Sequence, residues 1–177
     1  MCTEIETKLK VDSHEDIEAT LKKLGAKFTE VQFHRDDYFD DARGSFAAGD
    51  KCIRLRRQKT DHNQKTFLTY KGPKEKHQVK KRREIELELS NAENAHQIFI
   101  ALGYKLVLTI EKKRTLWQFN HCDIALDDLP LLGKYLEIEG PDAKTISDVK
   151  KSLNLSHLPH INESYACLIE KHSHRKT

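Results

Sequence analysis

An α+β fold built on an antiparallel sheet is what this 177-residue chain predicts. About eight segments alternate apolar and polar residues with the period of a strand. Three or four shorter stretches carry apolar residues at helical spacing and end in stop signals. The connections are mostly short, which suits strands joined as hairpins better than parallel crossovers.

In order, Glu4-Ile5-Glu6-Thr7-Lys8-Leu9-Lys10-Val11 opens the chain as a strand. Its Glu4, Glu6, Lys8 and Lys10 share one face, and Ile5, Thr7, Leu9 and Val11 the other. Ser13 followed by Asp16 resembles a capping box, Ile17, Leu21 and Leu24 make a helical stripe, and Gly25 stops it. Residues 26–40 read as a strand, and a turn-rich loop runs from Asp40 to Asp50. Strands follow near 52–59, 65–71 and 80–89. A helix over 91–102 turns Ala92, Ala95, Ile98, Phe99 and Leu102 to its apolar side and stops at Gly103. The endings Gly25-Ala26-Lys27-Phe28 and Gly103-Tyr104 hint at two related halves. Strands near 104–115, 117–127 and 133–140 and a helix around 143–153 come next. A last helical stretch starts at Asn162, and residues 172–177 form a polar tail. Nothing marks a boundary, so residues 1–171 are read as a single domain.

Charge and cysteine usage narrow the function classes. Lys and Arg total 31 against 28 Asp and Glu, a net charge of +3, with no basic arm that would suggest a nucleic-acid partner. No apolar run approaches a membrane span and no signal segment opens the chain, so a cytoplasmic protein is expected. Cys2, Cys52, Cys122 and Cys167 form no CxxC pair, which argues against a zinc site or a disulfide framework and for reduced thiols.

The chemistry lies in strands that repeat the charged face of the first. Arg54 and Arg56 oppose Ile53 and Leu55; Arg82, Glu84, Glu86 and Glu88 oppose Ile85, Leu87 and Leu89; Glu137 and Glu139 oppose Leu136 and Ile138. Lys71 and Asp127 end two further strands. One such strand is a solvated edge; five suggest that the charged faces converge, as in a barrel with a polar lumen and helices over its apolar outside. Crowding these charges is costly without partners. Mg²⁺ or Mn²⁺ suits the carboxylates and a polyanion suits the lysines and arginines, so polyphosphate with metal satisfies both.

These residues also carry a resemblance. Glu4-Ile5-Glu6-Thr7-Lys8 matches the ExExK signature of the CYTH superfamily, the triphosphate tunnel metalloenzymes. The match continues through Asp37-Tyr38-Phe39-Asp40, Arg54-Leu55-Arg56, Thr69-Tyr70-Lys71-Gly72-Pro73, Arg82-x-Glu84-x-Glu86, Lys112-x-Arg114, Asp127 and Tyr135-Leu136-Glu137-Ile138-Glu139. Phe46-Ala47 and Ser164-Tyr165 bring it closest to the class IV adenylyl cyclase branch. The resemblance implies an eight-stranded antiparallel β-barrel, a triphosphate tunnel with a charged lumen flanked by helices. It implies Glu4, Glu6, Asp127, Glu137 and Glu139 at the metal, and Lys8, Arg54, Arg56, Lys71, Arg82, Lys112 and Arg114 on phosphate oxygens. Lys8, Lys71, Lys112 and Arg114 are the expected catalytic groups, with Glu84 and Glu86 on the acidic side of the tunnel. Strand alternation alone leaves Lys112 and Lys113 both open as the inward residue; the family pattern selects Lys112. A homodimer is the assembly the resemblance implies.

Blander readings cover other conspicuous residues. The ten histidines include no HExxH pair; His172 and His174 are read as solvated, and His34 and His121 as strand residues without catalytic duty. The basic run Lys76 to Arg83 is read as a lip beside the tunnel, because it lacks interleaved aromatics. Trp117 and Phe119 are read as core, and Gly44 and Gly49 make no phosphate-cradling loop. Three functions follow: cyclisation of ATP to 3′,5′-cyclic AMP and pyrophosphate; hydrolysis of tripolyphosphate, thiamine triphosphate or a nucleoside triphosphate; and non-catalytic binding of polyphosphate or an RNA 5′ end. The paired carboxylates argue against the third, and the branch resemblance favours the first. Glu6→Ala or Glu137→Ala is expected to abolish metal-dependent turnover and, by relieving like-charge repulsion, to raise thermal stability.

Overall fold

The computed structural model describes residues 2–74 and 80–174, with side chains over 5–74 and 82–173. The described elements run β1 (Cys2–Lys10), α1 (Glu15–Lys23), β2 (Lys27–Asp40), α2 (Ser45–Ala48), β3 (Cys52–Lys59), β4 (Gln64–Lys71) and β5 (Lys80–Leu89). They continue with α3 (Ala92–Ala101), β6 (Lys105–Phe119), β7 (Cys122–Leu129), β8 (Gly133–Glu139), α4 (Ala143–Ser152) and α5 (Tyr165–His174). Two compact bodies divide the described residues: 2–4, 32–74 and 81–111 form one, and 5–31, 80 and 112–174 the other.

The body that holds most of β1 pairs it antiparallel with β8, β8 with β7, and β7 with β6. Alternation sorts its residues as the sequence predicts. Leu9, Val11, Ile124, Leu126, Leu136, Ile138 and Trp117 pack into one core with Ile17 and Leu21 of α1 and Ile146 and Val149 of α4. Asp142 caps α4 by accepting the Thr145 N–H at 2.8 Å. At about 25 cal/mol per Å² of apolar surface buried, this core supplies most of what holds the sheet against its helices.

The other body joins β2, β3, β4 and β5 in successive antiparallel pairs. Its core is more aromatic: Phe39 stacks on Phe99 of α3 with ring centroids 4.8 Å apart, and Phe99 meets Tyr104 edge-on at 5.7 Å. The expected apolar side of α3 is split by this contact. Phe99 turns to Phe39, whereas Ile98 and Leu102 stay 58% and 67% exposed.

Several boundaries differ from the sequence expectation, each for a local reason. Helix α1 starts one residue later than a Ser13 cap would set it: His14 is the N-cap residue, and the Ser13 hydroxyl accepts the Glu15 N–H at 3.2 Å instead of capping the turn. Within the stretch read as a loop, the Asp40 carboxylate accepts the N–H groups of Phe46 and Ala47 at 3.0 and 2.9 Å and nucleates the single turn of α2. A strand expected over 117–127 is two strands, because Asn120 and His121 take φ of +47° and +61° and fold a tight hairpin turn. His121 therefore sits in a turn. Helix α5 begins at Tyr165, three residues after Asn162, and runs through His172 and His174; residues 175–177 of the tail lie outside the described residues. The two related helix endings do share one geometry. Gly25 and Gly103 have φ of +74° and +86°, and the N–H groups of Ala26 and Tyr104 return to Leu21 and Phe99 carbonyls.

Candidate active site

Cross-strand register builds the charged face of the β1 body. Lys8 lies opposite Glu137, Glu6 opposite Glu139, and Asp127 opposite both Arg114 and Tyr135. The ammonium of Lys8, only 1% exposed, lies 3.2 Å from Glu137 Oε1 and donates to the Glu163 carbonyl at 3.1 Å. Asp127 is fully buried and accepts three hydrogen bonds from two basic side chains. Its Oδ1 accepts Arg114 Nε at 2.6 Å, and its Oδ2 accepts Lys112 Nζ at 2.8 Å and the Arg114 terminal nitrogen at 2.5 Å. The same Arg114 nitrogen donates to Glu137 Oε2, so Lys8, Glu137, Arg114, Asp127 and Lys112 form one continuous ion-pair chain. Register and contacts place Lys112 on this face, while Lys113 is exposed.

Each charge in this chain is stabilised by its neighbours. Burial pushes the Asp127 carboxyl up, but the Arg114 guanidinium and the Lys112 ammonium outweigh it and hold it below its ordinary value. Burial likewise opposes the Arg114 charge, and Asp127 with Glu137 reverses the effect and drives its pKa well up. The site is therefore pre-charged: two ammoniums and a guanidinium stand on one sheet face, held by two carboxylates.

The carboxylates expected at a metal lie on this face in pairs set by strand register. Asp127 and Glu137 have their oxygens engaged by lysine and arginine. Glu6, 5% exposed, lies directly across from Glu139 in the register of β1 and β8. The Glu4 side chain lies outside the described residues. Among the described residues, no three His, Cys, Asp or Glu side chains are gathered as a metal-ligand group.

The other body carries the remaining expected residues on the charged face of β2 to β5. Arg56 forks onto both oxygens of Asp36 at 2.6 and 2.7 Å. Arg54 donates to Thr69 Oγ1 at 3.0 Å and lies 3.8 Å from Asp36 and 3.6 Å from Glu86. Lys71 pairs with Glu84 at 2.6 Å, and Thr69 donates to Glu86 at 2.8 Å. Arg82 is buried. Of the basic run 76–83, the side chains through Lys81 lie outside the described residues, and Arg83 is exposed. In the Asp37-Tyr38-Phe39-Asp40 segment, Asp37 bonds Arg57 and Thr109 at 2.5 and 2.8 Å on the opposite face from Asp36, so part of that motif is structural.

Sequence reasoning missed the partners that surround Lys8. His160 Nδ1 lies 2.8 Å from the Thr7 hydroxyl, and the Ile161 N–H returns to the Lys8 carbonyl at 2.8 Å, so residues 160–163 strap β1. Tyr165 donates its hydroxyl to Asp127 Oδ2 at 2.9 Å. No strand or helix periodicity reaches into 156–161, which left the strap's bonds to β1 without a signal; Tyr165 was visible only as part of the last helical stretch and of a Ser-Tyr segment.

A model of the CYTH domain matches residues 3–165. The chain belongs to the CYTH family. Among curated proteins, it is 35% identical over 175 residues to a Methanocaldococcus jannaschii protein named as a candidate adenylate cyclase, covering 92% of this chain and 95% of that one. Among solved structures, a Pyrococcus horikoshii protein superposes with a TM-score of 0.81 at 28% identity, over 95% of this chain and 99% of the other. A Hippeastrum protein described as a candidate adenylyl cyclase with a dominant triphosphatase activity superposes with a TM-score of 0.74 at 15% identity, over 95% of each chain, a likeness of fold. This CYTH chain thus has the fold class its sequence predicts, α+β with eight antiparallel strands of the triphosphate-tunnel type and flanking helices. No described helix is long and apolar enough to cross a membrane.

Proposed function

We propose that this CYTH protein is a metal-dependent enzyme that acts on a triphosphate and converts ATP to 3′,5′-cyclic AMP and pyrophosphate. The observation that carries the reading is the buried chain of Lys8, Arg114 and Lys112 on one sheet face, each held by a carboxylate. Cations this desolvated bind phosphate oxygens strongly once a carboxylate yields its place. In the reaction, the ribose 3′-oxygen bonds to the α-phosphorus, the bond from that phosphorus to the bridging oxygen breaks, and the 3′-hydroxyl proton is released. Lys8, Lys112 and Arg114 would hold the phosphates and take up charge that develops on the departing pyrophosphate. Lys71, Arg54, Arg56 and Arg82 are assigned to phosphate oxygens as well, with Glu84 and Glu86 as counter-charges to Lys71 and Arg54.

The donor set fits a hard divalent cation, Mg²⁺ or Mn²⁺. Glu6 and Glu139 offer only oxygen ligands from facing positions, with Glu4 in the same strand, and Mg²⁺ commonly takes few carboxylates alongside water and phosphate oxygens. When bound, such a cation would neutralise the polyphosphate and polarise its P–O bonds. Asp127 and Glu137 we assign to holding Lys8, Lys112 and Arg114 in place. The relative's name supports cyclisation. Hydrolysis at the terminal phosphate is the second reading, favoured by the activity described for the Hippeastrum protein of the same fold.

A substrate panel tests the class. Purified protein with Mg²⁺ or Mn²⁺ should turn over ATP, tripolyphosphate or thiamine triphosphate and leave ADP and AMP untouched. Turnover of diphosphates at a similar rate, or none of any triphosphate, would remove the reading.

A further inference from the structure

We propose that Tyr165 is a positioning residue for the triphosphate site, setting the two lysines with its ring and Asp127 with its hydroxyl. The proposal rests on the triphosphate reading above. Tyr165 opens α5, is 8% exposed, and meets Tyr135 edge-on at 5.3 Å. Its ring centroid lies 4.2 Å from the Lys8 ammonium and 4.8 Å from the Lys112 ammonium. Both distances fall within reach of a favourable cation–π contact. Two like charges therefore share the negative π-cloud of one ring, which eases their repulsion without occupying an N–H. Lys8 spends donors on Glu137 and the Glu163 carbonyl, and a ring beneath it takes none. A further carboxylate in the ring's place would compete with phosphate for the lysine N–H groups; the ring does not.

The hydroxyl acts on a different partner. It donates to Asp127 Oδ2, the same oxygen that accepts from Lys112 and Arg114. This fixes the carboxylate on which both cations are registered. The position is itself fixed from two sides, by α5 and by the strap at 160–163 that bonds β1 next to Lys8. The two halves of the side chain thus have separable duties: the ring serves phosphate binding and the hydroxyl serves alignment.

Tyr165→Phe and Tyr165→Leu separate them. The readouts are the calorimetric Kd for inorganic tripolyphosphate and the kcat and KM for ATP with Mg²⁺ or Mn²⁺. Tyr165→Phe should bind tripolyphosphate within about twofold of wild type and lose about tenfold or more in kcat at unchanged KM, the scale of one hydrogen bond to a charged group. Tyr165→Leu should in addition weaken tripolyphosphate binding by about tenfold, the scale of two cation–π contacts. If Tyr165 merely fills space, Phe restores kcat and KM together, and that result overturns the proposal even if the leucine variant fails to fold. Equal tripolyphosphate affinity in all three proteins overturns the ring's role. A wild type that neither binds tripolyphosphate nor turns over ATP instead overturns the functional reading, and this proposal falls with it.

Discussion

Asp127 is the residue on which the site turns. It is fully buried and holds Lys112, Arg114 and Tyr165 at once. Asp127→Asn keeps the shape but strands two buried cations, so we expect a loss of about 3–5 kcal/mol in urea unfolding, as when one partner of a buried pair is removed. The acid limb of the stability profile should change with it. The folded-state pKa of Asp127 lies below its unfolded value, so its contribution is complete above the unfolded value, about 3.9, and is lost as pH falls through the folded one. Wild-type unfolding free energy should therefore fall more steeply below about pH 4 than that of Asp127→Asn; parallel profiles would contradict the pairing. The sequence expectation that Glu137→Ala stabilises the protein is revised on the same ground. Glu137 bonds Lys8 and Arg114, so its removal should lower Tm along with turnover.

At the scale of elements, two local devices hold the charged strands in register. The β6–β7 hairpin closes on Asn120 and His121, both left-handed, and glycine suits the second position better than histidine. His121→Gly should raise stability by about 0.5–1 kcal/mol in thermal unfolding, and a loss would show that the exposed His121 makes a contact worth more than the strain. The strap at 160–163 is the second device. Burial lowers the His160 pKa below its ordinary 6.5, which keeps the ring neutral near pH 7, where it can bond Thr7 and Asn162. A His with a lowered folded-state pKa contributes stability above its unfolded value and loses it as pH falls below that. Unfolding free energy should thus decline as pH falls below about 6.5 in wild type, and His160→Gln should flatten that limb while keeping the polar contact to Thr7.

For the molecule as a whole, most of the fold and half of the site's logic were legible in the sequence. Alternation placed Glu6, Lys8, Glu137 and Asp127 on one face and Leu9, Ile138 and Leu126 in the core, because a period of two leaves no freedom once one face is apolar. Helix ends at Gly25 and Gly103 were legible because their left-handed backbone demands glycine. The Asn120-His121 turn was hidden because it carries neither glycine nor proline, and the strap and the Tyr165 contacts were hidden because they join residues 153 and 38 positions apart with no periodic mark. That Asp127 and Glu137 hold Lys8, Lys112 and Arg114 was also out of reach, since every Glu or Asp on one face reads alike. The central claim is chemistry at the α-phosphorus of a triphosphate. Its most direct test is to incubate the purified protein with ATP and Mg²⁺ or Mn²⁺ and resolve the products chromatographically. Cyclic AMP and pyrophosphate in equal amounts are the predicted outcome; ADP with orthophosphate, and no cyclic nucleotide, would contradict it and move the reaction to the terminal phosphate.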